Sequence, residues 1–292
     1  MFPSLSTEDH VLLCAAHPFP SQDRQERLAH LLTTPLNWSY LLKQLNRHEI
    51  GPLLYHQLHL LPDRADSRLP AQVLRTLAQT ARANLVRNLA LKQALGDLLD
   101  TFHQAGVDVL PLKGILLAEL LYGDITLRPT SDIDLLVRPH ELAVATQALL
   151  AAGYQRIRAL DQDADLYHHL FAATGGGGAS VLVELHWDFT WNHISRLDVE
   201  QVWARAQPTR WNGRPVWTMT PSDLFLSVCL HAVKDGLGSV KPLVDIALML
   251  ERFGQTLAWD TLAETVRTAQ VRVPVTLSLL HTQRLLGAVV PP

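Results

Sequence analysis

Three acidic residues lie at spacings that could support metal chemistry. Asp132 and Asp134 are separated by one residue in the segment SDIDLLV, and Glu184 lies in the apolar segment VLVELHW. On a strand, residues two apart project from the same face, so the two aspartate carboxylates would lie side by side. Such carboxylates repel each other unless a cation compensates them, and Mg²⁺ prefers oxygen ligands. The pattern favours a divalent-metal site, although the spacing of the two aspartates alone is common.

Glu184 allows two interpretations. An acid buried among Val181, Val183 and Leu185 is costly unless something cationic compensates it. Alternatively, these three apolar residues face the core and Glu184 faces water. Three acids on two neighbouring strands favour the first interpretation.

The segments around these acids predict alternating strands and helices. VDVLPL has the length and β-branching of a buried strand, and the Lys113-Gly114 turn then opens the helix ILLAELLYGD, whose N-terminal N–H groups could bind phosphate. SDIDLLV predicts a second strand, and Pro139 begins a helix that Gly153 ends.

LYHHLFAAT and SVLVELHW predict an antiparallel hairpin. The four glycines at 175–178 lie between these strands, which favours a flexible hairpin tip over a phosphate-binding loop.

Helical spacing dominates both flanks of this region. Apolar residues recur at intervals of three and four from about residue 22 to 105, with a long helix from about Pro70 to Gly106. Helical spacing returns from about Leu197, and Pro221-Ser222-Asp223 predicts a helix start. We therefore predict an α+β fold with an N-terminal helical region over 1–105, a core over 106–195 and a C-terminal helical region over 196–292.

Composition and charge limit the class of protein. The 292 residues carry a net charge of −3, whereas wrapping nucleic acid needs a strongly basic face, so an extended nucleic-acid partner is not expected. No apolar run is long enough to span a membrane, and the acidic N-terminus is unlike a signal peptide. We predict a cytoplasmic protein without a membrane partner, in which Cys14 and Cys229 are thiols.

The run LKGILLAELLYGDITLRPTSDIDLLV, followed by the ELHW strand, resembles the uncharacterised bacterial nucleotidyltransferases of the DNA polymerase β superfamily. The shared motifs are L-K-G, R-x-x-x-D-I-D-L-L-V and E-L-H-W, over residues 107–187. A looser resemblance extends over LHAVKDGLGSVKPLVDIALML. It implies a polymerase β-like core, namely a small mixed sheet with helices, whose catalytic and metal-binding carboxylates are by position Asp132, Asp134 and Glu184.

The activity that this resemblance implies is transfer of a nucleoside monophosphate from a nucleoside triphosphate to an acceptor hydroxyl, with release of pyrophosphate. Two Mg²⁺ ions, with Mn²⁺ as the alternative, would stabilise the attacking and leaving oxygens. Asp132 and Asp134 would share both ions, and Glu184 would hold the one that activates the acceptor. ATP is the favoured substrate, although the sequence gives no base preference. The acceptor stays open among a small molecule, a sugar, a peptide and a protein.

The candidate nucleotide-binding residues each have an ordinary structural alternative. Gly114 would let the backbone approach phosphate, and Lys113 would add a charge in place of the superfamily's serine or else lie at the sheet edge. Arg128 could bind phosphate oxygens through its guanidinium fork or form a salt bridge that fixes the loop. Ser131 could cap the turn. The candidates are Lys113, Gly114, Arg128, Ser131, His186, His231 and Lys234.

Histidines and lysines supply the remaining candidates. His186 shares a strand face with Glu184 and could donate a hydrogen bond to it or to substrate, or else be a buried histidine paired to backbone. His231 and Lys234 lie on one helix face and could contact the nucleotide or form an exposed stripe, with Lys241 and Asp245 as possible contributors. The adjacent His168 and His169 should point to opposite faces, which excludes both from one zinc ion. Lysine is rare, with five in the chain: Lys43, Lys92, Lys113, Lys234 and Lys241.

Three alternative functions remain at the sequence level. The chain could be a nucleotide- or RNA-binding module of the same fold without turnover, which the three intact acids disfavour. It could be a toxin or tRNA-directed nucleotidyltransferase, which the low basic charge disfavours. A phosphohydrolase is the least favoured, because no histidine-aspartate metal cluster is evident in the sequence. Relatives tend to continue into further helix beyond GAVVPP, so the chain could be a shortened member or a trimmed one, and part of a helical lid could be missing.

Overall fold

The computed structural model describes residues 5–61, 69–157, 167–174, 180–189, 195–234 and 236–290. The N-terminal helices are α1 (Thr7–Ala15), α2 (Gln22–Leu31), α3 (Trp38–Arg47), α4 (Gly51–Leu60) and α5 (Ala71–Gln104). Local sequence explains where they begin and end: Ser6 and Asp9 form a capping box at the start of α1, and Gly106 adopts φ +69° just after α5. The long helix is therefore confirmed close to its predicted limits.

A five-stranded mixed sheet follows α5. Its strands are β1 (Leu110–Pro111), β2 (Ile133–Leu136), β3 (Gln155–Arg156), β4 (His168–Thr174) and β5 (Ser180–His186). They lie in the order β1-β2-β5-β4-β3, in which β2 and β5 are parallel and the other neighbours antiparallel. The predicted hairpin of β4 and β5 is confirmed. The glycines at 175–178 fall outside the described residues.

The helices between the strands differ from the prediction in one respect. Helix α6 (Ile115–Leu117) has only three α-helical residues, and Ala118–Tyr122 continues as a π-helical turn before Gly123 ends it in the left-handed region. After β2 a 3₁₀ turn at Pro139–Glu141 leads into α7 (Leu142–Ala151). Such π turns are rare and cluster at functional sites.

The two faces of the sheet have different partners. Ile133, Leu135 and Val183 point to one face, where they pack in a buried cluster with Leu95 and Phe102 of α5. The period-two pattern of β2 and β5 places Asp134, Glu184 and His186 on the other face. The apolar half of each strand therefore fixes which way the acids point.

In the described part of the C-terminal region, the chain forms a hairpin and five helices. These are α8 (Val199–Arg205), β6 (Gln207–Trp211), β7 (Arg214–Thr218), α9 (Pro221–Lys234), α10 (Lys241–Phe253), α11 (Trp259–Thr268) and α12 (Arg272–Leu286). The hairpin covers the edge strand β1, since the Trp217 N–H donates to the Val109 carbonyl at 3.2 Å. Helices α9 and α10 share a second buried cluster with the N-terminal helices and the start of α5.

The predicted α+β class with a small mixed sheet is confirmed. Helical regions flank the sheet on both sides along the chain, and the segment from 207 to 218 adds a separate two-stranded hairpin. None of the described helices combines the length and apolar character that crossing a lipid bilayer requires.

Candidate active site

The sheet brings the three predicted acids together. Asp134 on β2 is the register partner of Glu184 on the parallel strand β5. Asp132 directly precedes β2. One carboxylate oxygen from each of the three lies within 4.8 Å of the other two. We call Asp132, Asp134 and Glu184 the three-acid cluster; its donors are all hard oxygens, the type that Mg²⁺ prefers.

The basic side chains of Lys113 and His186 contact the three-acid cluster. Lys113 Nζ lies 2.6 Å from Asp134 Oδ2 and 3.6 Å from Asp132 Oδ1. His186 Nε2 lies 3.1 Å from Glu184 Oε2 and 3.3 Å from Asp134 Oδ1. Lys113 thus lies beside the carboxylates, within reach of both aspartates.

These contacts shift the ionisation of the cluster unequally. Burial acts to raise the pKa of Asp134, but Lys113 and the hydrogen bond from His186 outweigh it and hold that pKa well below its usual range. Burial also acts to lower the pKa of Lys113, but Asp134 and Asp132 hold it above its usual value. For Asp132, burial and then the neighbouring Asp134 raise the pKa. Of the two aspartates, Asp134 therefore has the stronger tendency to be ionised.

A polar pocket of about 200 Å³ opens in front of the cluster. Its walls contain Asp132 and Glu184 together with Lys113, Lys234 and Lys241, three of the five lysines in the chain. Asp134 and His186 line an adjoining hollow that shares Lys113, Arg128, His231 and Lys234 with the pocket. The remaining pocket residues are Glu49, Gly114, Arg128, Pro129, Thr130, Ser131 and His231. The structure therefore brings every candidate residue to one place.

Gly114 provides the turn that the sequence analysis singled out. Its φ is +75°, and a Cβ there would lie 3.5 Å from the Asp132 carbonyl and from Thr130 Cγ2. This backbone conformation is strained for any residue with a Cβ, so glycine is required. Ser131 is exposed in the same wall of the pocket.

Of the two roles considered for Arg128, phosphate binding and a salt bridge that fixes the loop, the structure shows the salt bridge. Its Nη2 lies 2.8 Å from Asp245 Oδ2, and its Nε donates to Asp245 Oδ1 at 2.9 Å. Both side chains are almost fully buried, and the Tyr122 hydroxyl donates to the same carboxylate at 2.8 Å. The guanidinium fork is thus engaged by Asp245 of α10, which holds the loop before β2 against the C-terminal helices.

Lys234 and Lys241 enter the pocket from the C-terminal region. Lys234 Nζ lies 4.9 Å from the centre of the Tyr167 ring. Lys241 Nζ donates to the Pro129 carbonyl at 3.3 Å and forms an ion pair with Glu49. Glu49 was not predicted: it follows α3 in the left-handed region, and only tertiary packing brings this N-terminal residue to the pocket.

The sequence analysis considered His168 only with its neighbour His169 and missed its pairing with His186. Its neighbour His169 packs on Trp187, with ring centres 4.6 Å apart, so the two adjacent histidines do point to opposite faces. His168 instead lies across the hairpin from His186, and their rings stack at 5.0 Å. Ring nitrogens of both and a Glu184 oxygen lie within 4.8 Å of one another. This group contains a glutamate and no aspartate, and it forms because the pairing is across strands.

An apolar cavity of about 240 Å³ adjoins the site on the far side of Lys113. Its walls come from β1, α6 with its π turn, the start of α9 and the end of α10. The lining residues include Leu112, Leu116, Leu120, Met219, Leu224 and Phe253.

Comparisons with known proteins identify a family over most of the chain. The sequence model of a family described as "Uncharacterised nucleotidyltransferase" matches residues 34–287. No curated protein matches the chain in sequence. Among solved structures, an antigenic nucleotidyltransferase-like protein from Paracoccidioides brasiliensis is similar, with 21% identity and a TM-score of 0.41 over 70% of this chain and 94% of that one.

Proposed function

The chain belongs to the uncharacterised nucleotidyltransferase family, and we propose that it transfers a nucleoside monophosphate from a nucleoside triphosphate to an acceptor hydroxyl in a Mg²⁺-dependent reaction. The observation that carries this proposal is the three-acid cluster beside a pocket whose walls contain three lysines. Carboxylates suit a divalent cation, and lysines suit a polyphosphate. A nucleoside triphosphate bound through Mg²⁺ presents both chemistries at once.

The donor set fits the metal. Asp132, Asp134 and Glu184 offer oxygen atoms within 4.8 Å of one another on one side of a sheet whose opposite face packs against α5. Bound divalent ions would stabilise the charge that develops on the attacking and leaving oxygens of an in-line displacement. Mn²⁺ suits the same oxygen donors and is the alternative.

The lysines would bind the triphosphate. Lys113, Lys234 and Lys241 come from three separate parts of the chain and all line the pocket. The Gly114 turn lets the backbone approach a phosphate closely. Ser131 and His231 also line the pocket and are in position to contact the nucleotide. Arg128, held by Asp245, would position the loop that carries Asp132.

The reaction balances without a further reactant. The acceptor oxygen forms a bond to the α-phosphorus, and the bond from that phosphorus to the oxygen bridging the β-phosphate breaks. Pyrophosphate leaves with that electron pair, and the acceptor proton is lost to water. ATP is the first nucleotide to test, and the acceptor remains a small molecule, a sugar, a peptide or a protein hydroxyl.

The test is nucleotide binding and turnover on the whole chain. Calorimetry with each nucleoside triphosphate and Mg²⁺, followed by pyrophosphate release, compares the parent with Asp132→Asn/Asp134→Asn. We expect Mg²⁺-dependent binding in the parent and loss of both binding and release in the double variant. The matched control is Asp260→Asn, which removes an exposed carboxylate in the first turn of α11.

The outcomes separate the alternatives. Circular dichroism first establishes that the double variant is folded, and Glu184→Gln provides a second variant whose carboxylate is more exposed than that of Asp134. Binding that needs neither the metal nor the two aspartates overturns the proposal. Metal-dependent binding with no pyrophosphate release across a panel of small-molecule, sugar, peptide and RNA acceptors favours a nucleotide-binding module of the same fold.

A further inference from the structure

We propose that His168, His186 and Glu184 form a second cation site, which selects a transition-metal ion such as Zn²⁺ or Co²⁺ over Mg²⁺. It goes beyond the proposed nucleotidyl transfer, because that chemistry uses only the oxygen donors of the three-acid cluster. The two sites share Glu184.

The hairpin of β4 and β5 builds this donor set. His168 and His186 are register partners on the two antiparallel strands, and Glu184 lies two residues before His186 on the same face. One ring nitrogen of each histidine and one Glu184 oxygen lie within 4.8 Å of one another. Two adjacent strands of a sheet hold the three side chains, which limits their freedom before any ion binds.

The imidazole nitrogens of this group lack some of the partners that buried polar atoms normally have. His186 is 3% exposed, and its Nδ1 has no hydrogen-bond partner among the residues that the structure describes. The same holds for His168 Nδ1 within that part of the chain. Buried polar atoms are nearly always paired, so an ion bound at these ring nitrogens would supply the partner that they lack.

The donor types determine which ion is favoured. Two imidazole nitrogens and one carboxylate suit Zn²⁺, Co²⁺ and related ions, whereas Mg²⁺ prefers oxygen ligands throughout. Ligation requires one unprotonated nitrogen on each imidazole ring. Asp134 Oδ1, 3.3 Å from His186 Nε2, would then support the ring from behind.

The experiment is a Co²⁺ titration of the whole chain, followed by the visible absorption of nitrogen-ligated Co²⁺, with Zn²⁺ calorimetry beside it. The parent should bind one Co²⁺ with that absorption, and His168→Ala should weaken binding by at least about tenfold, since even indirect partners of metal ligands contribute that much. The matched control is His169→Ala, because this neighbouring ring lies on the opposite face against Trp187. The control should bind Co²⁺ as the parent does.

This experiment distinguishes failure of the second cation site from failure of the proposed nucleotidyl transfer. His168→Ala should keep Mg²⁺-dependent nucleotide binding, whereas Asp132→Asn should lose it and keep the Co²⁺ absorption. The second site is overturned if the parent shows no Co²⁺ absorption, or if His168→Ala binds Co²⁺ as tightly as the parent does. It is also overturned if His168→Ala and His169→Ala weaken Co²⁺ binding equally. None of those results bears on nucleotide binding by the three-acid cluster.

Discussion

Lys113 shows how one residue can serve the site in two ways. The sequence alone left it between a triphosphate contact and a lysine at the sheet edge. Its ammonium in fact lies against Asp134 and Asp132, so it neutralises the acids that would hold a metal. A bound cation and Lys113 therefore compete for the same carboxylates, while a bound triphosphate offers Lys113 a new anionic partner.

Replacing Lys113 tests this competition. We expect Lys113→Met to lower Tm in EDTA by about 5–10 °C, because removing one partner of a buried ion pair costs several kcal/mol. Added Mg²⁺ should restore part of that loss and should stabilise the variant more than it stabilises the parent. Thermal unfolding with and without Mg²⁺ measures both effects.

The control for this prediction is Lys43→Met, which removes an exposed lysine on α3. It should change Tm little in either condition. If Lys113→Met responds to Mg²⁺ no more than the parent does, Lys113 and the metal do not compete for the acids.

At the scale of elements, the Arg128–Asp245 pair joins the loop before β2 to α10. Three further contacts hold the same loop on its other side, where Asn84 and Asn88 of α5 donate to the carbonyls of Thr126, Ile125 and Arg128. The loop that ends at Asp132 is therefore fixed from two directions. Burying the charge of Arg128 or Asp245 is costly unless the other is present to compensate it.

A double-mutant cycle tests the importance of this pair. Arg128→Met and Asp245→Asn should each lower the free energy of unfolding by about 3–5 kcal/mol, since each leaves a buried charge without its partner. The double variant should lose less than the sum of the two, with an interaction energy of about 2–3 kcal/mol. Urea unfolding provides the values.

The exposed pair Arg267–Glu264 on α11 is the comparison, because its side chains are 72% and 58% accessible. Solvent screens such a pair, and its removal should have little effect on the unfolding midpoint. Additive losses at Arg128 and Asp245 would show that the buried pair is not coupled in this way.

Elements with strong local patterns could be predicted from sequence, and contacts between distant elements could not. The alternation of apolar and polar residues around Asp134 and Glu184 predicted which face of each strand is buried. The spacing of apolar residues in α5 predicted a helix whose ends lie within about two residues of the observed ones. In contrast, nothing near Glu49 indicates that it meets Lys241. The partner of His168 is 18 residues away along the chain, and only the strand register reveals it.

At the scale of the whole molecule, α5 connects the two buried clusters. Val73 and Leu77 near its start pack with the N- and C-terminal helices, whereas Leu95 and Phe102 near its end pack on the sheet. The predicted boundary between residues 105 and 106 stays a prediction, but the packing of the sheet crosses it. We therefore expect the regions to unfold together.

Core substitutions at the two ends of α5 test this expectation. Leu77→Ala and Leu95→Ala should each destabilise the whole chain by about 2–5 kcal/mol, and both should shift one shared transition. Circular dichroism and tryptophan fluorescence should follow the same unfolding curve. Leu89→Ala, at an exposed position on the same helix, should leave it nearly unchanged.

Two separate transitions, each moved by only one of the substitutions, would contradict this expectation. That result would instead support independent folding units on either side of residue 105.

The packing of α5 at both ends also limits the insertions and deletions that this helix tolerates in evolution. One inserted residue between Leu77 and Leu95 would turn one end of the helix by about 100° and move it by about 1.5 Å. The leucines that pack on the sheet would then face away from it while those at the other end stayed in place. Insertions and deletions should therefore be excluded from this stretch among relatives, which can diverge there only by exchanging one side chain for another.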